Sequence, residues 1–186
     1  MRLFISVPLP AELESSALDL QRRLRRRLPD GVKWTEQQQL HFTLHFMGDA
    51  GSGSIAALRE SLSCAAAQPS FSVELSGCGA FPSAQSPQVL WAGVQDPSGG
   101  LSALHGLLGG GLKKAGFETE PRPFAAHLTL GRVKNAAAAT RAAAALAQEN
   151  SFRSPQARLT AVELVESKLS AQGPVYSTLA RVELAG

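Results

Sequence analysis

Two copies of one short pattern hold the residues best suited to chemistry: His41-Phe42-Thr43-Leu44 and His127-Leu128-Thr129-Leu130. On a strand, residues i and i+2 share a face. Each copy then presents an imidazole beside a hydroxyl and turns Phe42 or Leu128 to the other side. Opening a cyclic phosphodiester needs a base to activate water and an acid to protonate the departing oxygen. Histidine can take either part near neutral pH. Threonine hydroxyls can donate to the non-bridging phosphate oxygens, where charge grows in the transition state. Arg132, five residues beyond His127, offers a guanidinium for the same oxygens. Strict alternation points it away from His127, so a strand end or a bulge must bring it in. One His-x-Thr is a weak signal. Two copies sharing a fourth residue, nearly half of the 186-residue chain apart, form a strong one.

The other candidates are weaker. His45 falls on the face of His41 and Thr43 by alternation and is expected at the cleft edge. His105 has no motif around it and reads as structural. Trp34, Phe46 and Trp91 read as core rather than as base-stacking platforms. His41 and His45 have an i, i+4 spacing that would bind zinc only on a helix, and this segment reads as a strand. No histidine pair has the acidic or cysteine company of a zinc site, so no metal is expected. Cys64 and Cys78 match no zinc or redox spacing and read as reduced structural thiols.

The elements that must position these residues are legible from hydrophobic period. Arg2 to Val7 reads as a strand stopped by Pro8 and Pro10. Leu13, Ala17, Leu20, Leu24 and Leu28 form a helical stripe, ended at Pro29-Asp30-Gly31. Arg22, Arg23, Arg25, Arg26 and Arg27 fill its other face, read as solvated, with an RNA-facing patch as the lesser reading. Lys33 to Met47 alternates as a strand, and Ile55, Leu58 and Leu62 mark a second helix. Phe71–Leu75 and Val89–Val94 read as strands around a loop from Phe81 to Gln88. Leu101, Leu104, Leu108 and Leu112 give a third helix, weakened by Gly109, Gly110 and Gly111. A strand through His127, a helix from Ala136 to Gln148, and a hairpin of Leu159–Val165 with Val175–Leu184 close the chain. The turn is Ser170-Ala171-Gln172-Gly173-Pro174. The order suggests a doubled plan with one motif per half.

These motifs and their surroundings resemble the two-histidine (2H) phosphoesterase superfamily, and within it the bacterial RNA 2′,3′-cyclic phosphodiesterases of the 2′-5′ RNA ligase family. The resemblance spans nearly the whole chain. It runs through Arg2-Leu3-Phe4-Ile5-Ser6-Val7, Val32-Lys33-Trp34-Thr35, His41 to Gly48, Pro121 to Arg132, Val165-Glu166-Ser167-Lys168-Leu169, Gly173 and Tyr176. It implies an α+β, bilobal, pseudo-two-fold fold over residues 1–186, with two antiparallel sheets facing across a cleft and helices outside. It implies His41 as proton donor, His127 as proton acceptor, Thr43 and Thr129 as phosphate ligands, and no cofactor. The implied partner is RNA with a 2′,3′-cyclic phosphate terminus, opened to a 2′-phosphomonoester, with 2′-5′ ligation as the reverse direction. Alternatives are another small cyclic phosphate, a 2′-5′ oligonucleotide, or a non-catalytic module that binds RNA ends.

Composition limits the remaining classes. Hydrophobic residues at 44% and charged residues at 18% describe a folded globular chain rather than a disordered one. A net charge of +3 tolerates an anionic partner without demanding one. No apolar run approaches the ~20 residues of a membrane span, and the N-terminus reads as a strand rather than a signal peptide. A cytoplasmic monomer is the expectation.

Overall fold

The computed structural model describes residues 2–170 and 173–186, so part of the expected final turn lies outside the described residues. The chain runs β1 (Arg2–Pro8), α1 (Ala11–Arg27), β2 (Val32–Trp34), β3 (His41–Asp49), α2 (Ile55–Ser63), β4 (Phe71–Pro82), β5 (Pro87–Gln95) and α3 (Gly100–Lys114). It continues with β6 (His127–Val133), α4 (Ala136–Ala147), β7 (Ala157–Leu159), β8 (Ala161–Ser170) and β9 (Gly173–Glu183). One antiparallel sheet has the order β3-β1-β8-β9 and the other β2-β6-β5-β4-β7. The fold is therefore α+β with two antiparallel sheets, as the resemblance implies. Strands β3 and β6, which carry the motifs, lie against each other where the sheets meet. Helices α2 and α3 pack with the first sheet, and α1 and α4 with the second.

The motif strands fall one in each sheet, β3 in the first and β6 in the second, but the sheets do not divide the chain into halves. The first sheet takes β1 and β3 from one end of the sequence and β8 and β9 from the other. Two element readings also change. The run from Lys33 to Met47 is not one strand: β2 and β3 are separated by a short 3₁₀ turn at Gln37–Gln39 and belong to different sheets. Phe81 to Gln88 is not a loop throughout, because β4 extends to Pro82 and β5 begins at Pro87.

Each motif strand carries a bulge at the motif leucine. On β3, Ser6 faces Thr43 and Ile5 faces His45, so Leu44 has no partner on β1. On β6, Trp91 faces Thr129 and Leu90 faces Gly131, so Leu130 has no partner on β5. A bulge inserts one residue and shifts the phase of alternation. Leu44 and His45 are consequently both buried, as are Leu130 and Gly131.

The surroundings support these shifts. Leu130 O accepts from Thr35 N at 2.9 Å and from Gln21 Nε2 at 2.8 Å. Gln21 is buried on α1 and also donates to Thr35 O at 2.8 Å. At position 131 a Cβ would lie 3.0 Å from Val32 Cγ1 and 3.1 Å from Trp34 Cε3, so only glycine fits beneath β2 without displacing it. Gly109 plays the matching part on α3, where a Cβ would come within 3.2 Å of the His45 ring. Of the three glycines that weaken this helix locally, Gly109 lets it approach β3.

The five arginines of α1 are exposed, as the solvated reading expects, and four of them also make surface contacts. Arg22 and Arg23 pair with Asp19, Arg23 and Arg27 reach the buried carboxylate of Glu149, and Arg25 lies over Trp34. Trp91 is only half-buried, tilted against Phe81 at 5.3 Å, and Trp34 packs against the core as read. Phe46 does not, since the bulge turns it outward to 62% exposure. Among the described residues no helix is long and apolar enough to cross a membrane.

If Gln21 holds the second bulge, Gln21→Leu leaves the half-buried Thr35 carbonyl and the buried Leu130 carbonyl without that partner. It should cost about 1–3 kcal/mol in urea unfolding and reduce whatever activity depends on β6. A cost within about 0.5 kcal/mol, the size of an ordinary surface change, would show that the bulge stands without it.

Candidate active site

His41 opens β3 directly after the 3₁₀ turn. Its Nδ1 lies 2.7 Å from Gln39 O. A carbonyl only accepts, so Nδ1 carries the proton and Nε2 is left with its lone pair. The Thr43 hydroxyl, 2.9 Å away, donates to that Nε2. Gln39 is itself fixed by a reciprocal capping box with Glu36 and by a 2.7 Å bond from its Nε2 to Pro174 O. The second motif repeats the device: His127 Nδ1 lies 2.8 Å from Ala125 O. In both motifs the carbonyl two residues upstream sets the tautomer and leaves Nε2 as the reactive atom.

Aromatic rings hold the imidazoles in place. Phe4 stacks on His41 at 4.8 Å, and Tyr176 meets the same ring edge-on at 5.6 Å. Phe81 meets His127 edge-on at 4.9 Å. Burial pushes the His41 pKa down to about 4, the Gln39 carbonyl partly counters this, and the nearby His127 adds to the lowering. In the empty cleft His41 is therefore neutral at physiological pH. Burial also raises the Tyr176 pKa, opposed by the positive charge of Arg132.

A cavity of about 560 Å³ opens beside the motif strands. Its walls include Thr43, Phe46, Phe81, His127, Thr129 and Arg132. His41 is not itself part of this lining and meets it through the Thr43 hydroxyl. The bulge at Leu130 swings Arg132 onto the wall shared by His127 and Thr129, which meets the condition set by alternation. The five residues singled out from the motifs thus come together.

The bulge at Leu44 has the opposite effect on His45. It does not share the face of His41 but turns inward, donating from Nε2 to His105 O at 2.8 Å. Burial lowers its pKa. The phase shift also parts His41 from His45, which removes the i, i+4 pair as a chelate. His105 stacks on His45 at 4.2 Å and on Phe124 at 4.5 Å, and all three reach the cavity wall. Phe4, Phe81 and Tyr176 were not assigned roles by the motif reading. Phe81 was hidden by its placement in a loop, and Phe4 and Tyr176 carry no chemistry that spacing alone reveals.

Known proteins resemble this chain in sequence and in fold. A family model described as the 2′-5′ RNA ligase superfamily matches residues 9–170. An RNA 2′,3′-cyclic phosphodiesterase of Archaeoglobus fulgidus is 35% identical over 179 residues, covering 96% of this chain and 98% of its own. A protein of the same name from Thermotoga maritima is 29% identical over 188 residues, covering 100% and 97%. In three dimensions, E. coli LigT in apo form aligns with a TM-score of 0.76 at 26% identity, covering 100% of this chain and 98% of LigT. LigT is also known in complex with 3′-AMP.

The His41 ring gives a direct test. Followed by NMR in the empty protein, it should titrate near pH 4, and inorganic phosphate should move the midpoint upward, because a nearby anion favours the charged imidazole. The linked stability has a definite sign. The unfolded chain binds this proton at the ordinary value of 6.5, so His41 makes stability fall as pH drops from 6.5 towards 4. A midpoint near 6.5 in the empty protein would contradict the burial.

Proposed function

The chain belongs to the 2′-5′ RNA ligase superfamily, and on that basis we propose that it is an RNA 2′,3′-cyclic phosphodiesterase working by two-histidine acid/base catalysis without a metal. The observation that carries this reading is the matched pair of imidazoles. Each is tied through Nδ1 to its own upstream carbonyl, and each has a threonine hydroxyl two residues on.

His127 Nε2 takes a proton from water as the water oxygen bonds to phosphorus. The bond from phosphorus to the 3′ oxygen breaks, and that oxygen leaves with the proton from His41 Nε2. The 2′ ester survives, so the product is a 2′-phosphomonoester. Exchange with solvent then returns both histidines to their starting forms. Burial disfavours the charged His41 this step needs, and the bound phosphate anion offsets that cost. Thr43 and Thr129 turn their hydroxyls to the non-bridging oxygens, and Arg132 balances the charge that grows there. When a 5′-hydroxyl takes the place of water, the same step yields a 2′-5′ phosphodiester.

The remaining parts of the reading follow. Residues 1–186 act as one catalytic domain of two lobes, each supplying one motif, and the enzyme works on RNA ends as a cytoplasmic monomer. The free thiols of Cys64 and Cys78 accord with a reducing compartment.

On RNA with a 2′,3′-cyclic end, His41→Ala and His127→Ala should each lower kcat by about 10²–10⁴-fold with unchanged circular dichroism. EDTA should leave the wild-type rate intact, and ³¹P NMR should show a 2′-phosphomonoester. A variant keeping more than roughly a tenth of the rate would remove that histidine from acid/base catalysis. Activity lost in EDTA and restored by Mg²⁺ or Zn²⁺ would overturn the metal-free mechanism.

A further inference from the structure

The two catalytic histidines owe their tautomers to the same kind of carbonyl, but the carbonyls are held differently. Gln39 is fixed by its capping box with Glu36 and by its bond to Pro174. Ala125 is exposed. From Glu118 to Ala126 the chain is neither helix nor strand, and among the described residues no loop or turn backbone hydrogen bond ties it down. Within this stretch Phe124 and Ala126 pack against the core, and of these only Phe124 has a ring. That ring lies on His105 of α3 at 4.5 Å with the planes 15° apart, and His105 lies in turn on His45 of β3 at 4.2 Å and 15°. His45 is buried and donates from Nε2 to His105 O at 2.8 Å, so the innermost ring is locked to α3. Burial lowers the pKa of both imidazoles. For His105 the neighbouring His45 adds to this and Glu120 opposes it. Two neutral rings stack without charge repulsion, and both faces of His105 are covered by flat partners.

We propose that His105, wedged between His45 and Phe124, is a positioning residue for His127: it holds Phe124, and Phe124 holds the next carbonyl, Ala125 O, on His127 Nδ1 at 2.8 Å. This deepens the acid/base reading and rests on it, since a base that takes a proton at Nε2 must keep its own on Nδ1. The rings of His45, His105 and Phe124 have no part in proton transfer. Flat contact rather than hydrogen bonding holds the loop, so another planar ring at position 105 serves as well. His41, whose carbonyl belongs to Gln39, lies outside this chain of contacts.

The test is ¹⁵N NMR of the imidazoles at alkaline pH, where a neutral ring shows which nitrogen holds the proton. In wild type His41 and His127 should both carry it on Nδ1. His105→Ala and Phe124→Ala should each move a measurable share of the His127 proton to Nε2 and leave His41 unchanged. His105→Phe should keep the wild-type pattern. On RNA with a 2′,3′-cyclic end, the two alanine variants should lose about tenfold to a hundredfold in kcat, the cost of a misplaced catalytic group. KM should change far less, and His105→Phe should retain the rate. An unchanged His127 tautomer in both alanine variants would overturn the positioning role. So would a loss confined to KM, which would make the rings part of the substrate wall, or a His105→Phe variant that loses the tautomer. If wild type failed to hydrolyse the RNA, the phosphodiesterase reading would fall, while the tautomers would still decide for or against His105.

Discussion

The phase shift at Leu44 and Leu130 is the constraint on which the site depends. Up to the leucine, each strand shows an imidazole and a hydroxyl to the cleft. Beyond it, simple alternation would turn the next useful side chain into the core. An unpaired leucine on each strand reverses this and brings Phe46 and Arg132 to the cleft. It also sets two consecutive residues against the core, so the neighbouring elements must fit them. Gly131 fits beneath β2, Gly109 clears the His45 ring, and Gln21 reaches from α1 to the Leu130 carbonyl. A buried backbone carbonyl out of register needs such partners, because leaving it unpaired costs about as much as a lost hydrogen bond.

The second requirement is a fixed tautomer. A free imidazole divides its proton between two nitrogens, and a ring meant to exchange protons through Nε2 must keep Nδ1 protonated. Both histidines meet this with the backbone carbonyl two residues upstream. No charged group is spent on the task. A carboxylate in the same place would favour the protonated imidazole and add negative charge beside a phosphate. With a neutral carbonyl, the charge on His41 answers instead to burial and to the arriving anion.

Much of this was legible in the sequence, and the parts that were not share a cause. Residue type and spacing single out His41, Thr43, His127 and Thr129 as candidates, because acid/base and phosphate chemistry use few side chains and a strand repeats every two residues. The helices of Leu13–Leu28 and Leu101–Leu112 follow from their apolar stripes. Register does not follow from local pattern, since a bulge is fixed by the strand alongside. Hence His45 was placed on the wrong face, Phe46 in the core, and Arg132 only conditionally at the site. The joining of β8 and β9 to β1 is equally non-local, so the two halves of the sequence do not become the two sheets. Gln21 sits inside an apolar helical stripe, where nothing local marks it as a clamp. The arginine run reads correctly as a solvated face, but the reach of Arg23 and Arg27 to Glu149, more than a hundred residues away, leaves no local mark.

The account's central claim is a division of labour in which His41 gives a proton to the departing 3′ oxygen and His127 takes one from water. It is tested most directly with a cyclic substrate whose 3′ bridging oxygen is replaced by sulfur, a leaving group that departs without protonation. His41→Ala should then recover much of its lost rate, while His127→Ala stays slow. Recovery by His127→Ala instead would reverse the two assignments, and recovery by neither would contradict general acid catalysis by this pair.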